Sequence, residues 1–153
     1  MTDVSDFGQR IPYLLRRVGG ALSQRLDADL KPYGLTQAQL SALALLGQVR
    51  PRSLSGAELS QRSGLTPQSM HTAVAGLVER DLVERSPHPT HGRIIESRLT
   101  AAGAALLLDV QTATYEAEGR YVGGLDADQQ EQLRGLLRAM MVDLGLHLPE
   151  QRA

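Results

Sequence analysis

Residues 54–100 read LSGAELSQRSGLTPQSMHTAVAGLVERDLVERSPHPTHGRIIESRLT, and this stretch predicts two short helices across a tight turn, then two short strands around a Pro/His/Gly loop. Ser55 and Glu58 give S-x-x-E, a capping box in which each side chain satisfies a backbone donor left unpaired by the first helical turn. Leu54 and Leu59 flank that cap at the positions of a hydrophobic staple. Gly64 ends the helix, being a residue that tolerates left-handed backbone angles. Thr66 caps the next helix, with Pro67 at the first helical position, where its missing N–H costs nothing. Two helices joined by a short turn containing glycine make a helix-turn-helix.

In the second helix Met70, Val74, Leu77 and Val78 recur at helical spacing and predict one buried stripe. The opposite face near its start carries Gln68, Ser69, His71 and Thr72, short polar side chains able to reach base edges or phosphates. A recognition helix uses its N-terminal residues in this way, and the positive end of its dipole faces the phosphates. The same residue types also suit an ordinary solvated face, so the helix alone leaves both readings open.

The following residues favour the recognition reading. Residues 82–85 and 94–99 are strand-like runs with β-branched members. Between them residues 86–92, SPHPTHG, contain two prolines and a glycine and read as a loop. Arg93 stands at its exit, suited to a narrow minor groove where negative potential concentrates. Arg62 and Arg85 are candidate phosphate partners, each equally able to form a surface ion pair. A helix-turn-helix followed by a basic hairpin is a winged helix.

Specific segments carry a family resemblance. They are Leu30-Lys31-Pro32-Tyr33-Gly34-Leu35-Thr36, the leucine-rich helix after it, Leu59-Ser60-Gln61-Arg62-Ser63-Gly64-Leu65, and Leu77-Val78-Glu79-Arg80-Asp81-Leu82-Val83. The closing element runs from Arg93 through Leu99-Thr100-Ala101-Ala102-Gly103. From about residue 11 to 108 the chain resembles the MarR family of winged-helix transcription regulators. Two positions depart from the family pattern: His91 stands where the wing aspartate is usual, and Asp81 replaces the usual glycine after Glu-Arg. The second departure suggests a different turn into the strand.

The chain has 153 residues, enough for one domain's worth of core. One Phe, four Tyr and no Trp mean that the core is built from Leu, Val and Ala. With no cysteine, disulfides, thiolate zinc sites and thiol-based oxidant sensing are excluded. No long apolar run or export signal is visible, so no membrane association and a cytoplasmic location are expected. The net charge of −1 hides a division: residues 50–98 carry seven basic and five acidic groups, net +2, and residues 103–153 carry four and eight, net −4. Positive charge therefore collects on the proposed DNA-binding segment, and binding should weaken as salt rises.

Residues 1–10, mostly small and polar, are expected to be poorly ordered. A helix from Pro12 presents Ile11, Leu14, Leu15, Val18, Leu22, Leu26 and Leu30 at helical spacing. Gly19-Gly20 in its middle allows either close helix packing or a bend. Thr36 and Gln39 cap the next helix, and a short edge strand is expected at Ser53-Leu54. Thr100 caps a long helix to about Tyr121. Asp126 with Gln129 caps a last one, striped with Leu133, Leu136, Leu137, Met140, Met141 and Leu144. The predicted fold is mainly α with a small β-hairpin wing. Residues 1–34 and 101–153 supply dimerisation helices around a winged helix-turn-helix at 35–100. A two-fold homodimer is the economical use of apolar faces that a winged module does not need.

Other function classes find less support. There is no G-x-S-x-G elbow and no Gly-rich loop after a strand, so an enzyme is not expected. His88-x-x-His91 lacks a nearby carboxylate, so no metal and no cofactor are expected. A protein-interaction adaptor on the same fold remains the alternative; it would be expected to show an exposed apolar patch on the face assigned to DNA. The resemblance implies a dimer, more often a repressor than an activator, that binds double-stranded DNA and responds to a small aromatic or phenolic effector. Tyr13, Arg16, Arg17 and Tyr33 are the candidate effector residues: arginine for an anionic group, tyrosine to stack or hydrogen-bond.

Overall fold

Among the described residues, five helices start at a side chain that accepts a backbone N–H. Thr36, Ser55 and Asp126 each form a full capping box, with Gln39, Glu58 and Gln129 reaching back; Thr66 and Thr100 accept from the third helical residue alone. The computed structural model describes residues 4–149. A short 3-10 helix, Val4–Gln9, precedes α1 (Ile11–Leu30), and a second, Lys31–Tyr33, leads to α2 (Gln37–Val49). There follow β1 (Leu54–Ser55), α3 (Gly56–Ser63), α4 (Pro67–Glu79), β2 (Val83–Pro87), β3 (Ile95–Leu99), α5 (Ala101–Tyr121) and α6 (Ala127–Asp143). The fold is the predicted one, mainly α with a small three-stranded wing sheet. No helix among the described residues is long and apolar enough to cross a membrane.

The sheet is antiparallel in the order β1-β3-β2, with Leu54 opposite Ser97 and Val83 opposite Leu99. Strand boundaries differ from the sequence reading: β2 and β3 each start one residue later, at Val83 and Ile95, and there are two further changes. β1 lies one residue later than Ser53-Leu54, and β2 continues through Ser86 and Pro87 instead of stopping at Arg85. The reason for the second is the pleat. Thr100 N–H donates to the Leu82 carbonyl at 3.2 Å and His88 N–H to the Ile94 carbonyl at 2.8 Å, so even-numbered residues make the ladder bonds. Pro87 falls between them, where its missing N–H faces away from β3 on an edge strand.

Leu30, Leu43, Leu46, Leu59, Met70, Leu77, Val83 and Val110 are fully buried and tie α1, α2, α3, α4, the wing base and α5 into one core. Aromatic rings contribute little, as the composition requires. The first residues differ from the expectation of disorder: within the described part, Phe7 packs its ring 5.2 Å from that of Tyr13. Residues 1–3 lie outside the described part. α1 runs unbroken through Gly19-Gly20, and among the described residues nothing beyond the helix's own backbone comes within 4 Å of a Cβ built at either.

α1 and α6 keep their apolar faces outward. Ile11, Leu14, Leu15, Val18 and Leu22 on α1 are exposed, as are Leu133, Leu136 and Leu137 on α6, which buries no residue. Only the C-terminal end of α1, through Leu26 and Leu30, is spent on covering its own module.

Asp81 settles the turn out of α4. Its φ of 56° is left-handed, the region a glycine would occupy, and Thr100 Oγ1 donates to its carbonyl at 2.7 Å. The expectation of a different turn is thus corrected: aspartate is among the residues that visit this region singly, so the chain keeps a glycine-type turn without glycine. Asp81→Val should cost about 1–3 kcal/mol, because a β-branched residue is strained there, and Asp81→Gly should not. Urea denaturation of the two variants checks this.

Candidate nucleic-acid interface

The turn between α3 and α4 is fixed from inside. Gly64 takes φ 73°, and the buried Ser60 Oγ donates to the Leu65 carbonyl at 2.6 Å. Glu58, in the first turn of α3, accepts the Ser55 N–H at 2.8 Å, and that backbone donor holds its carboxyl below the usual carboxylate range. With Met70, Ala73, Val74 and Leu77 buried, α4 can present only its other side. Gln68, Ser69, His71 and Thr72 all lie exposed on it. Thr66 Oγ1 accepts the Ser69 N–H at 3.1 Å and donates to Ser69 Oγ at 2.9 Å, leaving the serine's own hydrogen free to donate outward. Among the described residues, the side chains of Gln68, His71, Thr72 and Arg93 make no hydrogen bond, so all four are available to a partner.

A second helix end joins this face. Thr36, Ala38 and Gln39 at the start of α2 line a groove of about 470 Å³ opposite Gln68, Ser69, Thr72 and Ala73. Two positive helix termini thus stand side by side, an arrangement suited to polyanion backbone. The cap T-x-x-Q was readable in sequence, but its position beside α4 was not.

The three candidate arginines have different surroundings. Arg93 is exposed at the centre of the turn closed by the Ile94 N–H on the His91 carbonyl, 2.8 Å. Arg85, on β2, lines a cavity of about 560 Å³ between α4 and the sheet, together with His71, Met70, Val74, Ile95 and Ser97. Arg62 is half-buried on α3, close enough to Glu58 to help lower the carboxyl's pKa. Of the three, Arg62 alone has an acidic neighbour on its own helix.

Sequence reading missed Arg80. One residue past α4, its guanidinium donates through Nη1 to the Gly34 carbonyl at 2.9 Å and through Nη2 to the Tyr33 carbonyl at 3.0 Å. The far end of the reading helix is thereby tied to the joint between α1 and α2. A bond across 46 positions has no local signature.

The candidate effector residues are divided. Arg16 lies over the Tyr13 ring, 5.6 Å from its centroid, and both line a small apolar cavity of about 360 Å³ with Phe7, Arg10 and Pro12. Arg17 is exposed and does not line it. Tyr33 is at the other end of α1, about 30 Å away for a 20-residue helix, where it packs against the core. Within one chain these four are not brought together. His88 and His91 have ring centroids 5.2 Å apart, and among the described residues no set of three His, Asp or Glu side chains could hold a metal.

Comparison with known proteins resolves the class. Residues 33–94 match the model described as MarR family. The chain is 34% identical over 131 residues to the HTH-type transcriptional repressor Rv2887 of Mycobacterium tuberculosis, spanning 86% of this chain and 93% of the relative. The chain belongs to the MarR family. A MarR-family transcriptional regulator of Rhodococcus sp. RHA1 superposes with a TM-score of 0.80 at 28% identity, covering 92% of this chain and 97% of that one. Rv2887 has been solved with salicylic acid (TM-score 0.70, 34% identity, 86% and 96% covered) and with DNA (TM-score 0.70, 32% identity, 86% and 97% covered). MarR proteins are transcription regulators and not enzymes, and this chain takes its class from them.

Proposed function

We propose that this MarR protein is a homodimeric repressor that reads a pseudo-palindromic operator and is released by a small aromatic or phenolic acid. The carrying observation is the exposed start of α4, which stands beside the N-terminus of α2 and leaves the side chains of Gln68, His71 and Thr72 without a partner among the described residues, as Arg93 is left in the wing. Gln68, Ser69, His71 and Thr72 contact base edges or phosphates in the major groove, and Arg93 enters the adjoining minor groove. Arg85 is the better phosphate partner of the remaining two, since Arg62 sits beside Glu58. The relative solved with DNA supports the partner, and its printed name supports repression. A DNA partner implies a cytoplasmic protein.

The dimer follows from the outward apolar faces of α1 and α6, which a second copy would cover. It places two copies of α4 roughly 34 Å, or about 10 bp, apart along the duplex. An effector then acts by preferring a spacing that misfits DNA. The relative solved with salicylic acid supports an aromatic acid. Its proposed seat is the Tyr13–Arg16 cavity, where Arg10 and Arg16 offer charge beside an apolar floor, with Arg17 and Tyr33 joining only from a partner chain. The larger cavity between α4 and the sheet favours a second seat, where Arg85 and His71 would hold a carboxylate against the reading helix.

The adaptor alternative expects an apolar reading face, and the face of α4 is polar; Ile94 and Ile95 are the exposed apolar residues of the wing. Fluorescence anisotropy against the protein's own upstream DNA and a random duplex, at two salt concentrations, tests the proposal. Tight, salt-sensitive binding that prefers the upstream fragment and weakens when salicylate is added is expected. Equal affinity for both duplexes would sink specific regulation, and indifference to a panel of aromatic acids would sink the effector. Gln68→Ala should relax preference at one base position, at about 1–3 kcal/mol. Equal loss on random DNA would contradict its base-reading role.

A further inference from the structure

Among the described residues Arg93 has no side-chain partner, so something else must aim it. Pro87 ends β2 and Ile95 begins β3, leaving a connection whose one proline, Pro89, stands at its start. His88 N–H donates to the Ile94 carbonyl at 2.8 Å and closes the hairpin. Its ring then reaches forward. Nδ1 accepts the backbone N–H of Thr90 and that of His91, each at 3.2 Å, and lies 3.3 Å from Thr90 Oγ1. The His91 carbonyl in turn accepts the Ile94 N–H at 2.8 Å, so Gly92 and Arg93 occupy the centre of a turn whose first residue is held by the His88 ring.

The other edge of the ring faces a carboxylate. Nε2 stands 3.6 Å from Glu96 Oε1, and Glu96 Oε2 accepts from Ser53 Oγ at 2.6 Å, immediately before β1. Nδ1 is thus the nitrogen turned to the loop's backbone, and Nε2 the one that faces the carboxylate. From Pro87 to Ile95, His88 is the one residue that is not exposed. The wing tip therefore has a small polar interior with one histidine ring as its centre.

We infer that His88 is the positioning residue of the wing: its imidazole fixes the backbone of Thr90 and His91 and thereby aims Arg93. The inference rests on the reading of Arg93 as a DNA contact. Without the ring, two backbone donors turn to water and the tip samples more conformations, so Arg93 must be ordered at the moment of binding. Asparagine at this position retains a side-chain oxygen that can accept a backbone N–H two residues on, and alanine does not.

The test uses the full-length protein, a duplex that wild type binds, and anisotropy on five proteins: wild type, His88→Ala, His88→Asn, Arg93→Ala and the double variant His88→Ala/Arg93→Ala. His88→Ala should weaken binding about three- to ten-fold, the size expected for ordering a side chain and its loop on binding. His88→Asn should recover most of that loss. The double variant should bind no more weakly than Arg93→Ala alone, because the two residues act as one. An equal fold-loss from His88→Ala with and without Arg93, or no recovery in His88→Asn, overturns the inference. Full-strength binding by Arg93→Ala overturns the reading of Arg93 itself. Independently of DNA, amide exchange at Thr90 and His91 should quicken in His88→Ala and stay near wild type in His88→Asn; unchanged exchange in His88→Ala also overturns it.

Discussion

Leu136→Glu should separate the protein into monomers and reduce its affinity for a complete operator by about 10²-fold or more, leaving binding to one half-site nearly unchanged. Leu136 is 59% exposed on α6, and α6 buries no residue within its own chain. A glutamate there meets water in the monomer and costs the fold little. In a dimer it would put an unpaired carboxylate into the surface that two copies share, which is expensive. The operator loss follows because two tethered reading heads bind as one event, and separate heads do not. Sedimentation or light scattering reads the oligomer, and anisotropy on full and half operators reads the affinity. A Leu136→Glu protein that stays dimeric would remove α6 from the proposed interface.

Gly103→Ala should destabilise the fold by about 1–3 kcal/mol or more, a large effect for one methyl group. Gly103 is buried in the first turn of α5, and a Cβ built there would overlap the Leu82 carbonyl oxygen and meet Leu99 Cδ1 at 2.9 Å. The carbonyl cannot yield easily. It already accepts the Thr100 N–H at 3.2 Å, and Thr100 Oγ1 both accepts the Gly103 N–H at 3.0 Å and donates to the Asp81 carbonyl. The exit of α4, the base of the wing and the start of α5 are thus one knot of backbone bonds. Moving α5 to admit a methyl would shift the wing relative to α4, so DNA affinity should fall along with stability. Urea denaturation gives the first quantity; an unchanged midpoint would show that the knot relaxes freely.

Much of the fold was readable because its signals are local. Thr36, Ser55, Thr66, Thr100 and Asp126 each satisfy a donor three residues away, so the cap pattern and the helix it starts are the same fact. The stripe of α4 was readable for the same reason, as periodicity along one element. The reading went astray where geometry across strands decided: Pro87 suggested a loop, yet the pleat leaves its nitrogen in a place that needs no hydrogen. Asp81 suggested a different turn, yet a left-handed aspartate made the turn a glycine would make.

The candidate site divides along the same line. The polar start of α4 and the basic wing could be named from residue type and order. The partners that hold them could not. Arg80 reaches Tyr33 and Gly34, Ser53 reaches Glu96, and the His88 ring stands between Glu96 and its own loop. In sequence His88 stood out as one half of the sparse pair His88-x-x-His91, with no sign of the loop it holds.

By itself the sequence determined the order of helices and strands, the caps that begin them, the buried stripe and the family, because these depend on neighbours within a few residues. Only the tertiary structure decided which helix ends share a face, which carbonyls hold Arg80, and which apolar stripes remain uncovered. Those properties arise from contacts between residues tens of positions apart. A chain's pattern says which of its surfaces seek burial; the packing says which of them find it.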